Sequence, residues 1–409
     1  MPSPASSGPE QLRSQMPALA NKVYFNYGGQ GPLPTPSLVA IQQSWGTIQE
    51  LGPFSEAVFP YASRTITELR QRLAPWLGVP PQRLAFTENV SSGCVLPLWG
   101  LPWQQGDQLL ISDAEHPGVV AACRELAHRH GMELASFPVQ DLLADAAGTK
   151  AAVLQRLEAS LTTHTKLVVL SHLLWNTGQV MPIAEVATLL QSRQPRPWLL
   201  VDAAQSFGSL PMEGAADAAD IYACTGHKWC CGPEGLGVVA VSERLLAEGR
   251  PTLIGWRSLS QETQAGSGVH ADARRFEVAT SCLPLFAGLQ CSLQLLEEQG
   301  SAEDRLALIR ERSLHLWQGL QASPHWQPLL QVAPPAGLVS FTGRGTTQAT
   351  SQATSQASHR AMVSALGQKG IWLRSLDAPA CLRACTHLVT RASEVDQLLS
   401  QLNQLTELV

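Results

Sequence analysis

The sequence predicts an α/β protein in which a mainly parallel sheet forms a large domain and a smaller α+β domain follows it. Up to about residue 281, short apolar segments typical of buried strands alternate with helical patterns. Such alternation indicates a parallel sheet with helices on both faces. Beyond that point, two long helical patterns precede several short strands. A chain of 409 residues is long enough for a large core and two domains.

Four regions are expected from this pattern. Residues 1–20 should form a mobile tail, residues 21–281 the large domain, and residues 282–409 the small domain. Within the small domain, residues 346–358 have the low-complexity sequence TTQATSQATSQAS, which has no apolar face. We expect this segment to be a disordered surface insertion without a catalytic role.

Composition limits the classes of partner. The net charge of −5 and the hydrophobic content of 44% are those of an ordinary globular protein, with no reason to expect nucleic acid or a membrane as partner. The N-terminus lacks a signal-peptide-like apolar run, and no later segment has 18 apolar residues in succession. We therefore expect a cytoplasmic enzyme.

The cysteines do not indicate disulfides or a metal. There are nine, an odd number spread over the chain, which is not a disulfide framework. Cys224, His227, Cys230 and Cys231 lie close together, but they lack the paired C-x2-C spacing of zinc sites. We expect no metal and interpret these cysteines as small apolar side chains.

The first elements surround a glycine-rich loop. Residues 22–25 are predicted to form a short strand that runs into residues 26–31, where several glycines allow backbone to approach a ligand closely. Thr35 then caps a helix with Pro36 at its first position, which runs to about residue 50. A second helix is predicted over residues 64–77.

The next elements form the predicted sheet. A turn over residues 89–93 leads into a helix that ends near Trp99, Pro117 begins another that ends near His130, and a third begins near Ile183. The predicted strands are residues 84–87, 108–112, 166–171, 198–201 and 220–224. Parallel strands end at the same edge of a sheet, so the ligand site is expected at their carboxyl ends.

The small domain has a different pattern. Its predicted helices are residues 283–299, 302–320, 359–368 and a final helix from about residue 394, and its predicted strands are residues 338–341, 371–373 and 383–387.

Lys228 lies between a polar turn and a glycine-rich segment, just after a predicted strand. A lysine that is partly removed from water loses some preference for its charged form and can condense with an aldehyde. The aldehyde that fits is pyridoxal phosphate (PLP). Taken alone, however, residue statistics favour a solvated lysine on a turn for Lys228.

Other polar residues follow the predicted strands. Asp202 can pair with the ring nitrogen of a pyridine cofactor, although an Asp after a strand is often a helix cap. Gln205 can donate to the phenolic oxygen, His116 can stack on the ring, and Asn176 can bridge cofactor and substrate. Together these residue types favour a PLP site more than any one of them does alone.

The phosphate group needs backbone amides at the start of a helix. Ser91, Ser92 and Gly93 precede an apolar helix and supply such amides. Thr225 and His227 add side-chain donors, although His227 is also compatible with a purely structural role.

Several motifs resemble one family. The chain is similar to the PLP enzymes of the class V aminotransferase family, and within it to the cyanobacterial L-cysteine/L-cystine C–S lyases. The segments that carry the resemblance are residues 24–31, 98–101, 115–118, 171–180, 201–206, 225–228, 255–258 and 275–281. The fold that this resemblance implies is the type I PLP-dependent transferase fold, with a mainly parallel seven-stranded sheet.

The resemblance also implies roles for individual residues. Lys228 is the covalent anchor and acts with Asp202 and His116 in catalysis. The implied cofactor contacts are Ser91, Ser92, Gly93, His116, Asn176, Asp202, Gln205, Thr225, His227 and Lys228, with Trp256 and Thr280 reaching the cofactor of a neighbouring subunit. The implied substrate contacts are Asn26, Gln30, Asn176, Arg374 and Arg383, where the planar fork of an arginine suits a carboxylate.

The implied activity is β-elimination on cystine or cysteine by a homodimer, giving pyruvate, ammonia and cysteine persulfide or sulfide, with sulfur passed to an iron–sulfur assembly protein. Cysteine desulfurases of the same family carry a nucleophilic cysteine ahead of the substrate-binding arginine, whereas no cysteine lies between Cys291 and Cys381 here. Cys381 and Cys385 leave a desulfurase open. Transamination, epimerisation and a catalytically silent scaffold or sulfur-transfer module are also compatible with the sequence.

Overall fold

The computed structural model describes residues 8–143, 146–212, 214–344 and 352–405. The helices are α1 Pro9–Ser14, α2 Thr35–Leu51, α3 Val58–Leu77, α4 Val90–Leu98, α5 Pro117–His130, α6 Ala146–Ser160, α7 Ile183–Gln191, α8 Ala215–Ala218, α9 Glu243–Glu248, α10 Leu283–Glu297, α11 Ala302–Ala322, α12 Gln352–Gln368 and α13 Ala392–Gln404. The strands are β1 Val23–Tyr24, β2 Leu84–Thr87, β3 Gln108–Ser112, β4 Glu133–Phe137, β5 Thr165–Val169, β6 Trp198–Asp202, β7 Ile221–Thr225, β8 Gly237–Val241, β9 Trp326–Pro328, β10 Leu338–Gly343, β11 Ile371–Trp372, β12 Arg374–Asp377 and β13 Ala380–Cys385.

The large sheet has seven strands in the order β2-β8-β7-β6-β5-β3-β4. Strand β8 runs against its neighbours, β2 and β7, and the pairs from β7 to β4 are parallel. The predicted α/β class with a mainly parallel seven-stranded sheet is confirmed.

Both faces of this sheet are covered, as its apolar strands require. Along β5, Val168 lies in one core cluster, while Leu167 and Val169 lie in the other. Successive side chains of a strand point to opposite faces, so a strand buried on both faces must be apolar throughout. Helices α4 and α5 cover one face, and α3, α6 and α7 cover the other. The continuous apolar runs in the sequence result from this double burial.

The small sheet has four antiparallel strands in the order β12-β13-β10-β9. Its own apolar core includes Phe341, Leu382 and Leu398. The apolar side chains of α10, by contrast, pack in the core of the large sheet, through residues such as Leu289 and Leu293. Helix α10 therefore belongs with the large sheet, although it follows the predicted boundary at residue 281.

The N-terminal segment differs from the expected mobile tail. From Gly8 onward the structure has α1 and a short 3-10 helix, and Leu12 is buried in the main core. Arg13 forms a buried ion pair with Glu394, with 2.7 Å between Nη2 and Oε1. Further along, β1 pairs with β11 in parallel, so this segment connects the two parts of the chain.

The low-complexity segment is also not disordered where the structure describes it. Helix α12 begins at Gln352, so residues 352–358 are helical rather than irregular. The rest of the segment lies outside the described residues. Strand β13 also begins before the predicted residue 383, so Arg383 lies inside a strand and not at its start.

Candidate active site

Lys228 follows β7 at the carboxyl edge of the large sheet. Burial lowers the pKa of its ammonium to about 8, while Asp202 raises this pKa and Arg383 and Arg374 lower it. A buried ammonium loses hydration, which favours the neutral amine. Lys228 therefore has a substantial neutral fraction near pH 8, as an amine that attacks an aldehyde requires.

The backbone around Lys228 is held by the N-terminal glycine-rich loop. The amide of Gly31 donates to the carbonyl of His227 at 2.8 Å. A Cβ on Gly31 would overlap the carbonyl oxygen of Lys228, so only glycine allows this approach.

Asp202 and Gln205 lie on the next strand and its turn. Asp202 is the last residue of β6 and is 6% exposed, and its Oδ1 accepts from the Ala204 amide at 2.8 Å. Gln205 donates through Nε2 to the carbonyl of Gly28 at 2.8 Å and accepts through Oε1 from Trp229 at 2.9 Å. The Gln205 amide carries a second N–H, which can donate to a ligand acceptor.

His116 caps α5, and its Nδ1 accepts from the Gly118 amide at 3.2 Å. The ring meets that of Trp175 edge to face, with 5.4 Å between centroids. Partial burial lowers the pKa of His116, so the ring is neutral at neutral pH. A neutral, exposed ring at this edge can stack on a planar cofactor.

The phosphate-binding candidates lie at the start of α4. Ser91, Ser92 and Gly93 belong to the first turn of the helix, because α4 begins at Val90 and Asn89 is its cap. The expected turn over residues 89–93 is therefore helical from residue 90. The Ser92 amide donates to Asn89 Oδ1 at 2.9 Å and the Gly93 amide to the Asn89 carbonyl at 3.1 Å, so the attraction for an anion at this end comes from the helix dipole.

Two further candidates flank this end of the site. The Oγ1 of Thr225 lies 2.7 Å from Nδ1 of His227, and burial lowers the pKa of His227 to about 4.

A cavity of about 510 Å³ is lined by Ser91, Ser92 and Thr280 among others. Trp256 and Thr280 both line a larger surface groove of about 1240 Å³.

The two arginines lie on the small sheet. Arg383 is 1% exposed and donates through Nη1 to the carbonyl of Trp175 at 2.8 Å. Its Nη2 lies 3.5 Å from Oδ1 of Asn26, and its buried Nε has no partner in the described part of the chain. Arg374 is exposed, and within the described ranges neither guanidinium forms an ion pair. A buried guanidinium with a free N–H fits an anionic ligand.

The remaining substrate candidates lie close to these arginines. Asn176 is buried, accepts from the Thr177 amide at 2.9 Å and donates weakly to Ala378 at 3.4 Å. Asn26 contacts Arg383, as above, and Gln30 is exposed on the same loop. Cofactor and substrate candidates therefore meet where the N-terminal loop, the large sheet and the small sheet come together.

The cysteines are placed unfavourably for nucleophilic chemistry. Cys381 and Cys385 are both buried, and burial raises the pKa of both thiols, to about 12 for Cys381. A thiol in this state is a poor nucleophile. Among the described residues, no group of three or more His, Cys, Asp or Glu side chains can hold a metal.

Two residues that contact the proposed site residues or their loops were given no role from the sequence. Glu115 is buried and accepts from Ser112 at 2.5 Å, and Trp175 contacts both His116 and Arg383. Their position beside His116 and Asn176 in two of the recognised motifs was the only signal that the sequence offered.

The donor set fits PLP on the observations of this structure. A lysine with a lowered pKa, a buried carboxylate and a helix N-terminus lie along one edge of the sheet. These groups match the aldehyde, the pyridine nitrogen and the phosphate of that cofactor.

No helix in the described part of the chain is long and apolar enough to cross a membrane.

Comparisons with solved structures identify chains of similar fold. Two solved structures of the cystine C–S lyase C-DES are similar to this chain. The complex with cysteine persulfide is 44% identical, with a TM-score of 0.87 over 95% of this chain and 99% of that one. A mutant with glycine covalently linked to the PLP cofactor is 43% identical, with a TM-score of 0.88 over 96% and 98%.

Curated relatives are more distant. The isopenicillin N epimerase of Streptomyces clavuligerus is 30% identical over 65% of this chain, and the match spans 64% of that protein's length. A probable cysteine desulfurase of Methanothermobacter thermautotrophicus is 25% identical over 71% of this chain and 70% of its own length. Residues 57–398 match the class V aminotransferase family. The resemblance seen in the motifs is thus confirmed, and the chain belongs to the class V aminotransferase family.

Proposed function

We propose that this protein is a PLP-dependent C–S lyase that acts on cystine or cysteine. The observation that carries the proposal is the convergence of the Lys228 amine, with a pKa of about 8, and two arginines without carboxylate partners in the described ranges. An amino acid offers an amine and a carboxylate to these groups. The similarity to structures of a cystine C–S lyase supports this choice over other reactions of the family.

Lys228 would hold the cofactor, with Asp202 at the ring nitrogen, Gln205 at the phenolic oxygen and His116 on the ring face. The start of α4, with Thr225 and His227, would hold the phosphate. When bound, PLP supplies an electron sink for the electrons released at Cα. These roles rest on the placement of each residue at the edge of the sheet.

The chain's own part in the reaction is to bind, orient and move a proton. Arg374 would bind the reacting carboxylate, since its guanidinium is exposed and has no ion pair among the described residues. Arg383, which already donates to the Trp175 carbonyl, would assist Arg374 in holding the substrate. The Lys228 amine would then remove the Cα proton.

Cystine should be the better substrate. Cleavage of its Cβ–S bond releases cysteine persulfide, and hydrolysis of the remaining three-carbon fragment by water gives pyruvate and ammonia. The persulfide anion that leaves from cystine is a weaker base than the hydrosulfide that leaves from cysteine, and so it leaves more readily. Pyruvate release from each substrate by the purified enzyme tests this order, and faster turnover of cysteine than of cystine would refute it.

A cysteine desulfurase is the second candidate, supported by relatives with that description. It needs a thiolate that attacks the substrate sulfur. The buried thiols of Cys381 and Cys385, whose pKa values are raised, do not favour this step.

A homodimer is also part of the proposal. Large apolar side chains are exposed around the groove of about 1240 Å³, with Phe54 82% and Phe59 47% exposed. Trp256 and Thr280 line the same groove. If a second copy of the chain binds in this groove, Trp256 and Thr280 of the first copy would lie next to the active site of the second. Light scattering of the purified protein should give twice the chain mass of 44.0 kDa.

We propose a cytoplasmic location and delivery of sulfur to an iron–sulfur assembly protein on the strength of the family resemblance. All nine cysteines are free thiols, which supports a reducing compartment.

A further inference from the structure

Glu115 is a buried carboxylate that forms no ion pair within the described part of the chain. It is 6% exposed, and it accepts hydrogen bonds from Ser112 Oγ at 2.5 Å, Ser171 N at 2.8 Å and Ser171 Oγ at 2.7 Å. Ser112 ends β3, and Ser171 follows β5, its neighbour in the sheet. Glu115 therefore joins the carboxyl ends of two strands, next to His116 in the chain.

Trp175 forms the second connection between the same two loops. Its Nε1 donates to the Ala114 carbonyl at 3.1 Å, and its ring meets the His116 ring at 5.4 Å. Its own carbonyl accepts from Arg383 Nη1 at 2.8 Å. One residue thus contacts both the histidine proposed to stack on the cofactor and an arginine of the substrate site.

We propose that Glu115 and Trp175 are positioning residues: together they fix the His116 ring and the Arg383 guanidinium relative to each other. Glu115 holds the loop after β5 against the turn after β3, and Trp175 on that loop then contacts both groups. Neither residue needs to touch a ligand. This inference rests on the proposed lyase function, because it assigns His116 to the cofactor and Arg383 to the substrate.

A purely structural role would have different consequences. If Glu115 and Trp175 only stabilised the fold, replacing either one would lower the stability of the protein without changing how substrate or cofactor is held. A positioning pair should change the Michaelis constant for cystine and the circular dichroism of bound PLP, because both depend on the geometry of the site.

The decisive variant is Trp175→Phe, which keeps an aromatic ring beside His116 but loses the donor to Ala114. We expect KM for cystine to rise about fivefold, which corresponds to the loss of one hydrogen bond of about 1 kcal/mol, while kcat changes less than about twofold. We also expect weaker visible circular dichroism of the bound cofactor.

Glu115→Ala and Glu115→Gln test the carboxylate. The alanine variant should show the same changes more strongly, whereas glutamine can accept from Ser112 and from the Ser171 amide and donate to Ser171 Oγ, so it should restore KM to within about twofold. Glu125→Gln, on the exposed face of α5 where Glu125 pairs with Arg129, is the matched control and should behave as wild type.

Wild-type KM and circular dichroism in both Trp175→Phe and Glu115→Ala would overturn the proposal, and so would a glutamine variant as impaired as the alanine one. If Glu115→Ala does not fold, Trp175→Phe still decides. The circular dichroism needs no turnover, so it distinguishes failure of this inference from failure of the lyase function itself.

Discussion

Arg374 and Arg383 lie directly opposite each other in the antiparallel pair formed by β12 and β13. Directly opposed like charges destabilise a sheet, and within the described ranges no carboxylate forms an ion pair with either residue. Burial lowers the pKa of Arg374, and the neighbouring Arg383 lowers it further. An anion bound beside this pair would relieve the repulsion, which is why we place the substrate carboxylate there.

Arg374→Lys should weaken catalysis without affecting the cofactor. Lysine keeps the charge but loses the two-pronged geometry, and a charged hydrogen bond is worth about 1.5–3 kcal/mol, or about ten- to a hundredfold in kcat/KM. The absorbance and content of bound PLP should be unchanged.

The control for this prediction is Arg360→Lys, since Arg360 is an exposed arginine of α12 near Asp377. It should retain wild-type kinetics. Values of kcat/KM for cystine within about twofold of wild type in both Arg374→Lys and Arg383→Lys would show that the carboxylate is held elsewhere.

Replacing Lys228 by Met should stabilise the cofactor-free protein at pH 7. The folded-state pKa of Lys228 is about 8, below the ordinary value of 10.5, so between these values the unfolded chain binds a proton that the folded chain does not. Wild-type stability then rises with pH across this window. At pH 7 the buried charge costs up to about 3 kcal/mol, at about 1.4 kcal/mol per pH unit, and methionine removes that cost.

Urea unfolding of the two cofactor-free proteins at pH 7 and pH 10 measures this effect. The advantage of Lys228→Met should be largest at pH 7 and should shrink at pH 10. An advantage of the same size at both values would mean that Lys228 titrates normally.

Asp202→Asn should leave Lys228 able to hold the cofactor but remove the charge expected at the ring nitrogen. We expect kcat to fall at least about a hundredfold, because several kcal/mol of barrier depend on the electron sink and about 1.4 kcal/mol is tenfold in rate. Steady-state kinetics beside a measurement of bound PLP tests this. Near-normal kcat would show that Asp202 only caps the turn at Ala204.

Gly31→Ala should disturb the Lys228 loop. The new methyl group would overlap the Lys228 carbonyl oxygen and lie 2.8 Å from Cys231 Sγ. We expect lower thermal stability and weaker PLP binding by titration. Gly367→Ala is the control: Gly367 lies in α12 with open space around it, and the change should be neutral or stabilising by about 1 kcal/mol.

The elements that the sequence predicted well are those with local causes. β3 matches its prediction at both ends, and α5 begins at Pro117 as expected. Candidates such as Asp202 and Lys228 come together because they follow strands that end at one edge, so topology alone brings them close.

The elements that were missed depend on distant partners. The N-terminal segment packs partly through an ion pair between Arg13 and Glu394, which are 381 residues apart. The helical start of α12 has no apolar pattern that reveals it. Glu115 received no role because its importance lies in hydrogen bonds to Ser171, a contact that no local pattern indicates.

The proposed C–S lyase reaction is tested by the products of a single turnover of cystine by the PLP-loaded enzyme. We expect one pyruvate and one cysteine persulfide for each cystine consumed, no alanine, and no product with the Lys228→Ala variant. Alanine with a persulfide on the protein, or no pyruvate from cystine at all, would contradict this reaction.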